Sequence, residues 1–245
     1  MVSVVRGTLY QKSNKLTDEQ VEGLEGNSYT YANPRYWDDY YNKTSSEEKF
    51  DWYGSWDTAV GASSFTPYGR GSAQPVAVFG DMLRPYLEKD KKILMFGCGN
   101  SDLSEKMYVD GYEGIVNIDI SEKLLDNLRS RLQASMPKMR WLYMNVSALS
   151  FHDGEFDVVI DKGTLDAIEA NRPLLSAAAA EAHRTLRPGG YLLSVTFNGP
   201  EVRRDGQLRK AAAWGECFSH EFEKASTVKA VGHSTYFLHA CQKPA

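Results

Sequence analysis

The chain has 245 residues, of which 42% are hydrophobic and 24% are charged, and its formal net charge is −4. This composition is typical of globular proteins and excludes disorder along the whole chain. The chain has no overall excess of positive charge, so we expect no nucleic-acid partner.

The cysteine pattern and the distribution of apolar residues limit the class of protein further. Cys98, Cys217 and Cys241 are far apart and match no metal-ligand spacing, so we expect neither a bound metal nor a disulfide framework. Unpaired thiols fit a cytoplasmic protein. No window of 18 consecutive apolar residues is present, and the first residues lack the apolar core of a signal peptide, so we expect no membrane association.

The N-terminal part of the chain falls into four stretches of different composition. Residues 1–30 are polar, and we expect a tail or a loosely docked arm there. Residues 31–57 are dense in Tyr, Trp and Phe, which fits either an amphipathic helix packed on the main domain or an aromatic lid over a ligand. Residues 61–75 are rich in Gly, Ser and Pro and predict a loop, and residues 76–89 predict a helix.

From residue 91 onward, apolar strand-like runs alternate with helical patterns. The predicted strands cover 92–96, 114–119, 140–146, 156–161, 191–197, 215–224 and 235–242. The predicted helices cover 101–110, a segment capped by Ser121, and 174–186. This order predicts an α/β fold. We expect a Rossmann-like, doubly wound, mostly parallel seven-stranded sheet with an antiparallel C-terminal hairpin and helices on both faces.

Two features at the ends of the first two parallel strands point to a ligand site, because ligands bind beyond the carboxyl ends of such strands. The first strand ends in Gly97-Cys98-Gly99, where the absence of side chains lets the backbone approach a ligand. Asp119 ends the next strand, 22 residues after Gly97. A carboxylate at this spacing can accept both hydroxyl protons of a ribose, although it would also stabilise the start of the following helix.

The class of nucleotide follows from a missing glycine. Asp102 stands where the dinucleotide fingerprint has its third glycine, which disfavours a nicotinamide oxidoreductase. The remaining pattern fits an adenosine cofactor without a pyrophosphate, such as S-adenosylmethionine. Asn145 and Val146 would then lie beside the adenine, with the Asn145 carbonyl oxygen accepting from its amine. The segment 161–164 would border the reactive methyl group.

Four segments carry a family resemblance: ILMFGCGNS (93–101), NIDIS (117–121), FDVVIDKGTLDAI (156–168) and LRPGGYLLSVTF (186–197). They resemble the seven-strand class I methyltransferases that use S-adenosylmethionine. DKGTLDA, together with the upstream YWDDYY and FDWYGSW, is similar to the methyltransferase-like group that includes eukaryotic elongation factor 1A lysine methyltransferases. The resemblance covers roughly residues 31–245, which implies one methyltransferase domain with an aromatic lid over 31–57.

The resemblance implies a cytoplasmic protein-lysine N-methyltransferase that acts on an elongation factor 1A-like protein, with S-adenosyl-L-methionine as its cofactor. The implied cofactor contacts are Trp37, Tyr41, Trp52, Gly97, Gly99, Asp119, Ile120, Asn145, Val146 and Lys162. The family often has an acidic residue where Asn145 stands, and an amide there can still accept a hydrogen bond.

Several roles stay open at the level of sequence, and no catalytic residue is assigned. Lys162 either pairs with the cofactor carboxylate or contributes only its backbone. Asp161, Asp166 and Glu169 are candidate partners for an acceptor ammonium, although a solvated helix face explains the last two more simply. The basic cluster Arg203, Arg204, Arg209 and Lys210 fits a solvated loop, or a contact with an acidic partner or RNA. The alternative functions are a small-molecule methyltransferase and a catalytically idle binding module.

Overall fold

The computed structural model describes residues 30–44, 49, 51–62, 77–224 and 235–245. The predicted N-terminal tail therefore lies, apart from residue 30, outside the described residues. Most of the predicted loop at 61–75 lies outside them as well.

From residue 92 onward, a strand is found at each predicted position, although the strand predicted over 191–197 begins at Leu186 and not at residue 191. The strands are β1 (Ala59–Ala62), β2 (Ala77–Val78), β3 (Ile93–Phe96), β4 (Ile115–Asp119), β5 (Arg140–Tyr143), β6 (Phe156–Lys162), β7 (Leu186–Thr196), β8 (Cys217–Lys224) and β9 (Thr235–Gln242). β5 ends earlier than predicted, so Asn145 and Val146 lie just beyond its carboxyl end.

Within the described residues, these strands form one sheet in the order β2-β1-β8-β9-β7-β6-β3-β4-β5. Strands β3 to β7 pair in parallel, while β9 is antiparallel to both β7 and β8. The predicted fold class is confirmed, including the antiparallel hairpin. The sequence did not indicate β1 and β2, which extend the sheet beyond β8 by antiparallel pairing.

Apolar side chains cover both faces of the parallel strands, because successive residues of a strand point to opposite faces. In β3, Ile93 and Met95 belong to one hydrophobic cluster, whereas Leu94 and Phe96 belong to the other. All four are buried. The continuous apolar run ILMF is therefore explained by a strand with helices packed on each side.

The helices are α1 (Pro34–Lys43), α2 (Phe79–Leu83), α3 (Leu103–Val109), α4 (Glu122–Leu132), α5 (Thr164–Ala167), α6 (Arg172–Thr185) and α7 (Arg209–Ala211). A π-helix, Glu201–Leu208, leads into α7. The apolar residues of α3 and α4 join one cluster, and those of α6 join the other. Among the described residues of the aromatic segment 31–57, the helical ones lie in its first half.

The helix predicted over 76–89 was wrong in its extent. The segment instead forms β2, the short helix α2 and a turn of 3-10 helix, Arg84–Tyr86. Pro85 explains the break, because proline has no N–H to continue the α-helical ladder. The two buried residues Phe79 and Leu83 still anchor the segment in the core.

The cysteine prediction was also wrong, because Cys217 and Cys241 form a disulfide. They are directly opposite each other on β8 and β9, with a Cα–Cα distance of 4.1 Å. The register of the hairpin brings them together although 24 residues separate them in the sequence. Cys98 keeps a free thiol.

The strand order places a crevice at one edge of the parallel sheet. The chain runs outward from β3 through β4 to β5, and then returns to place β6 on the other side of β3. The loops that follow β3 and β6 therefore leave the sheet in opposite directions, which is where open α/β sheets bind ligands. In the described part of the chain, no helix is both long and apolar enough to cross a membrane.

Candidate functional site

A cavity of about 530 Å³ opens at the carboxyl ends of the parallel strands. Its volume lies in the usual range for cofactor and small-molecule sites. All ten of the residues that the sequence singled out line it: Trp37, Tyr41, Trp52, Gly97, Gly99, Asp119, Ile120, Asn145, Val146 and Lys162. The fold thus brings together residues that are up to 125 positions apart in the sequence.

The floor of the cavity is the glycine turn after β3. Gly97 has a φ of 53° and Gly99 a φ of 55°, a region that side-chain-bearing residues rarely adopt. A Cβ atom on Gly97 would also collide with the side chain of Thr164. Thr164 donates a hydrogen bond from Oγ1 to the Phe96 carbonyl oxygen at 2.8 Å, so the loops after β3 and β6 are locked together.

Asp119 is a buried carboxylate at the end of β4. It accepts hydrogen bonds from the backbone N–H groups of Gly99 and Ser121, each at 3.0 Å. Burial raises the pKa of the Asp119 carboxyl to about 6, although the backbone N–H groups of Gly99, Ser121 and Ile120 act in the opposite direction. The side chain therefore both fixes the glycine turn and presents an acceptor to the cavity.

Asn145, just after β5, has its side-chain oxygen already engaged. Its Oδ1 accepts from both the backbone N–H and the hydroxyl of Ser147, each at 3.0 Å. An amide oxygen has two lone pairs, and both of them are used here. The Asn145 oxygen therefore has no free lone pair with which to accept the hydrogen bond from an adenine amine that we expected from the sequence. The amide nitrogen, a donor, is the remaining polar group of the side chain.

Lys162, at the end of β6, pairs with a residue that the sequence did not single out. Its side chain is 7% exposed, and its ammonium forms an ion pair with Asp51. Asp51 also accepts a hydrogen bond from the Ser101 hydroxyl at 2.5 Å. The ion pair joins the aromatic segment to the loops after β3 and β6, and it places a cation in the cavity wall.

One wall of the cavity is aromatic. Trp37, Tyr40 and Tyr41 on α1 line it, and the rings of Trp37 and Tyr41 are stacked with their centroids 5.9 Å apart. Tyr41 is buried, whereas Trp52 is 52% exposed and forms part of the rim. Helix α1 thus packs on the main domain and places aromatic side chains along the cavity.

Helix α1 is fastened to the main domain by Asp38. Its Oδ1 accepts from the Ser121 hydroxyl at 2.5 Å and from the Lys123 N–H at 3.4 Å. Ser121 is also the N-cap of α4, and its hydroxyl oxygen accepts from the Leu124 N–H. The attachment point of α1 is therefore two residues from Asp119.

The interpretation of Asp166 and Glu169 as a solvated helix face was wrong. Tyr53 donates to Asp166 Oδ2 at 2.6 Å, and Thr196 donates to Asp166 Oδ1 at 2.6 Å. The carboxylate of Glu169 accepts from Asn198 and Gln207, both at 2.8 Å. Of these acidic residues Asp166 alone lines the cavity, because Asp161 is fully buried and hydrogen-bonded to Ser194 and the Leu165 N–H.

The predicted basic cluster divides between surface and interior, because Arg209 and Lys210 are exposed whereas Arg203 is not. Arg203 is fully buried on the π-helix, and its guanidinium forms an ion pair with Asp166. Arg204 pairs instead with its neighbour Asp205. Only long-range packing explains the inward position of Arg203, because its local sequence EVRRDGQLRK is strongly polar.

Within the residues that the structure describes, neither Cys98 nor the histidines form a reactive cluster. Cys98 lines the cavity, and burial raises the pKa of its thiol well above the ordinary value, which keeps it protonated. The neutral thiol is a small filler in the glycine turn. Among the residues that the structure describes, no group of His, Cys, Asp and Glu could hold a metal ion.

Comparisons with known proteins show which proteins this chain is similar to. A methyltransferase domain model matches residues 93–190. EEF1A lysine methyltransferase 4 of Mus musculus is 31% identical over 191 residues, which are 74% of this chain and 67% of that protein. The eEF1A lysine and N-terminal methyltransferase of Bos taurus is 32% identical over 179 residues, which are 71% of this chain but only 23% of that protein.

The fold has counterparts among solved structures. A SAM-dependent methyltransferase from Methanosarcina mazei superimposes with a TM-score of 0.53 at 21% sequence identity. The match covers 66% of this chain and 97% of that one. At this level of identity the comparison supports the fold.

Proposed function

The chain belongs to the class I S-adenosylmethionine-dependent methyltransferases, and from this premise we propose that it methylates a lysine side chain of a protein substrate. The observation that carries the proposal is the likeness to EEF1A lysine methyltransferase 4, which extends over 74% of this chain. The substrate we propose is an elongation factor 1A-like protein, and the domain that acts on it is residues 31–245.

We assign the cofactor to the cavity at the carboxyl ends of β3, β4 and β6. Asp119 accepts the ribose hydroxyls, since an ionised carboxylate offers only lone pairs and both hydroxyls offer protons. The glycine turn at 97–99 brings its backbone close to the cofactor, since glycine carries no side chain between the backbone and the ligand. Ile120, Asn145 and Val146 border the adenine, and Lys162 faces the carboxylate of the amino-acid part.

The bound cofactor supplies an electrophilic methyl group on a positively charged sulfur. The contribution of the protein is to hold the acceptor in line with that methyl group and to keep water out. Aromatic ring faces are compatible with a nearby positive charge. Trp37, Tyr41 and Trp52 line the cavity and serve both purposes in this proposal.

The lysine acceptor must be a neutral amine when it reacts. A free lysine has a pKa of about 10.4, so the neutral form at pH 7 costs about 4–5 kcal/mol. Removing the ammonium from water favours the neutral form, and an aromatic cavity wall does this. Asp166, the acidic residue of the DKGTLDA segment that lines the cavity, already carries its own counter-ion in Arg203.

The proposed function is tested by incubating the protein with a cell extract and tritiated S-adenosylmethionine, followed by amino-acid analysis of the labelled product. We expect label in methyl-lysine of a protein of the elongation factor 1A type. An Asp119→Ala variant serves as the control for enzyme-dependent transfer. Label in a metabolite instead of a protein would favour the small-molecule alternative and would overturn the lysine proposal.

A cytoplasmic location belongs to the same proposal, because it is where a translation factor would be met. The Cys217–Cys241 disulfide is unusual for such a location. Cell fractionation, with the protein detected by an antibody, tests the proposed location. Recovery of the protein outside the cytoplasmic fraction would contradict this part of the proposal.

A further inference from the structure

The hydroxyl of Tyr53 has an unusual environment within the cavity. Tyr53 lines the cavity, yet only 5% of the residue is exposed. Its ring packs against Gly163, where a Cβ atom would come within 2.9 Å of Tyr53 Cε2, and edge-on against Tyr236 with centroids 5.2 Å apart. The ring is therefore held in one orientation beside the loop that follows β6.

The proton of this hydroxyl is committed to Asp166. The distance between Tyr53 Oη and Asp166 Oδ2 is 2.6 Å, and an ionised carboxylate can only accept. The other oxygen of Asp166 receives Thr196 Oγ1, the Arg203 guanidinium and, at 3.3 Å, Asn198 Nδ2. Asp166 is thus fixed by several donors, and its charge is balanced by a fully buried arginine.

The Tyr53 oxygen consequently has only lone pairs left to offer a ligand. Burial, and then the Asp166 carboxylate, raise the pKa of Tyr53, so the phenol stays protonated and keeps its hydrogen bond. In the described part of the chain, no donor is hydrogen-bonded to Tyr53 Oη. A group that meets this oxygen must bring its own proton, as a primary ammonium or amine does and a carboxylate does not.

Building on the proposed function, we propose that Tyr53 accepts a hydrogen bond from the nitrogen of the acceptor lysine. Asp166 is then a positioning residue, because it accepts the Tyr53 hydroxyl proton and so leaves the Tyr53 oxygen as an acceptor. With one N–H held by Tyr53, the nitrogen lone pair of the neutral amine would be left to attack the methyl group that the bound cofactor supplies. A C–N bond forms as the C–S bond breaks, its electron pair stays on sulfur, and the methylated nitrogen then loses its proton to solvent.

Two variants test separately the presence of the Tyr53 hydroxyl and the direction in which it donates its proton. Tyr53→Phe removes the oxygen and keeps the ring that packs on Gly163. Asp166→Asn keeps the shape, but its amide oxygen is drawn to Arg203, so its NH₂ group faces Tyr53 and reverses the hydrogen bond. The Tyr53 proton would then point into the cavity and repel an N–H donor.

Tyr86→Phe is the matched control, because Tyr86 Oη is hydrogen-bonded to His220 Nε2 at 2.9 Å and Tyr86 does not line the cavity.

The first measurement is binding, and it does not depend on activity. n-Butylammonium, a mimic of the lysine side chain, is titrated into the protein saturated with S-adenosylhomocysteine and followed by ligand-observed NMR. We expect about tenfold weaker binding to Tyr53→Phe and to Asp166→Asn, which is the loss expected for a hydrogen bond to a charged group. Tyr86→Phe should bind as the wild type does, and the affinity for S-adenosylhomocysteine should stay within about twofold in all variants.

The second measurement is turnover on the labelled protein from the cell extract. We expect kcat to fall at least tenfold in both cavity variants, with a smaller change in KM for the protein. Equal butylammonium binding by wild type and Tyr53→Phe, or no binding to wild type at tens of millimolar, would overturn the inference. Should Asp166→Asn fail to fold, the comparison of butylammonium binding by Tyr53→Phe and wild type still tests the inference. Label found on a residue other than lysine overturns the proposed function, whereas the NMR titration judges the role of Tyr53 separately.

Discussion

Two features of its surroundings shift the pKa of the Asp119 carboxyl in opposite directions. Burial in the cavity wall favours the protonated acid, whereas the N–H groups of Gly99 and Ser121 favour the carboxylate. The resulting pKa of about 6 is close to physiological pH. In its ionised form the residue can hold the glycine turn and accept ribose hydroxyls together.

The first prediction concerns the pH dependence of cofactor binding. If the ribose binds the ionised form, protons compete with the cofactor once the pH falls below the pKa of about 6 of Asp119. We expect the Kd for S-adenosylhomocysteine to be constant above about pH 7 and to rise about tenfold per pH unit below pH 6. Isothermal titration calorimetry over pH 5–8 measures this.

Two variants control that experiment. Asp119→Asn should bind at least tenfold more weakly at pH 8, since it loses a charged acceptor, and its Kd should not vary with pH. Asp126→Asn removes an exposed carboxylate from α4 and should behave as wild type. A wild-type Kd that is flat down to pH 5 would contradict the ribose assignment of Asp119.

The second prediction concerns Asn145. Its side-chain oxygen is occupied by two donors from Ser147, so only a donor group remains for the ligand. Asn145→Asp supplies a second acceptor oxygen, and we expect S-adenosylhomocysteine to bind about threefold to tenfold more tightly at pH 8, since the adenine amine gains a partner. S-Inosylhomocysteine, which lacks that amine, serves as the control ligand and should gain nothing. Weaker binding of the adenine ligand would place its amine away from residue 145.

At the level of elements, helix α1 contributes Trp37, Tyr40 and Tyr41 to the aromatic wall of the cavity. Asp38 is the polar residue that joins it to the start of α4, next to the proposed ribose site. Its bond to Ser121 couples the position of the aromatic wall to the N-cap of α4. A change that loosens the attachment of α1 should therefore also change the shape of the cavity.

The third prediction tests this coupling with Asp38→Ala. Loss of the contact to Ser121 should loosen α1, lower the affinity for S-adenosylhomocysteine about threefold to tenfold, and change the emission of Trp37. Calorimetry and tryptophan fluorescence measure the two effects. Asp39→Ala makes the same charge change at an exposed position of the same helix and should alter neither. Equal cofactor affinity in both variants would show that Asp38 does not hold the aromatic wall.

The sequence predicted the features that are encoded locally. The glycine turn, Asp119 and the main strands follow from short apolar runs and from spacing within about 20 residues. The Tyr53–Asp166 hydrogen bond spans 113 positions and the Arg203–Asp166 contact spans 37, so no periodicity signals either of them. The Cys217–Cys241 pair could be found only from the register of a hairpin that the sequence does not fix. Strands β1 and β2 are short and weakly apolar, and their pairing is determined by the edge of β8.

At the scale of the whole molecule, His239 joins three parts of the sheet. The residue is fully buried on β9, its Nε2 donates to the Asn198 carbonyl oxygen at 2.9 Å, and its Nδ1 accepts from Ser219 on β8 at 2.8 Å. The bond at Nδ1 requires the neutral ring, because only an unprotonated ring nitrogen can accept a hydrogen bond. Burial lowers the pKa of His239 to about 4.

The fourth prediction follows from the sign of that shift. An unfolded chain binds a proton at this histidine below about pH 6.5, while the folded protein does so only near pH 4, so acidification favours unfolding. We expect this contribution to stability to be complete above pH 6.5 and to fall by about 2–3 kcal/mol between pH 7.5 and pH 4.5. The measurement is urea denaturation of wild type and His239→Gln at both values.

The difference in unfolding free energy between wild type and His239→Gln should shrink by that amount at the lower pH. Asp119 and Asp161 titrate alike in both proteins and cancel from the difference. His152→Gln, at an exposed position, should show no such change. A constant difference across the two pH values would mean that His239 titrates normally in the folded protein.

The position of β9 in the sheet has a consequence for how the protein is made. β9 follows β8 in the chain but lies between β7 and β8, and within the described strands β1 and β2 are joined to the rest of the sheet through β8. On the ribosome, the parallel strands can therefore assemble while β1, β2 and β8 still lack a place to attach. Until residues 235–242 leave the exit tunnel, the open edge of β7 is exposed to the cell, and chaperones that shield unpaired strands would be most needed in that interval.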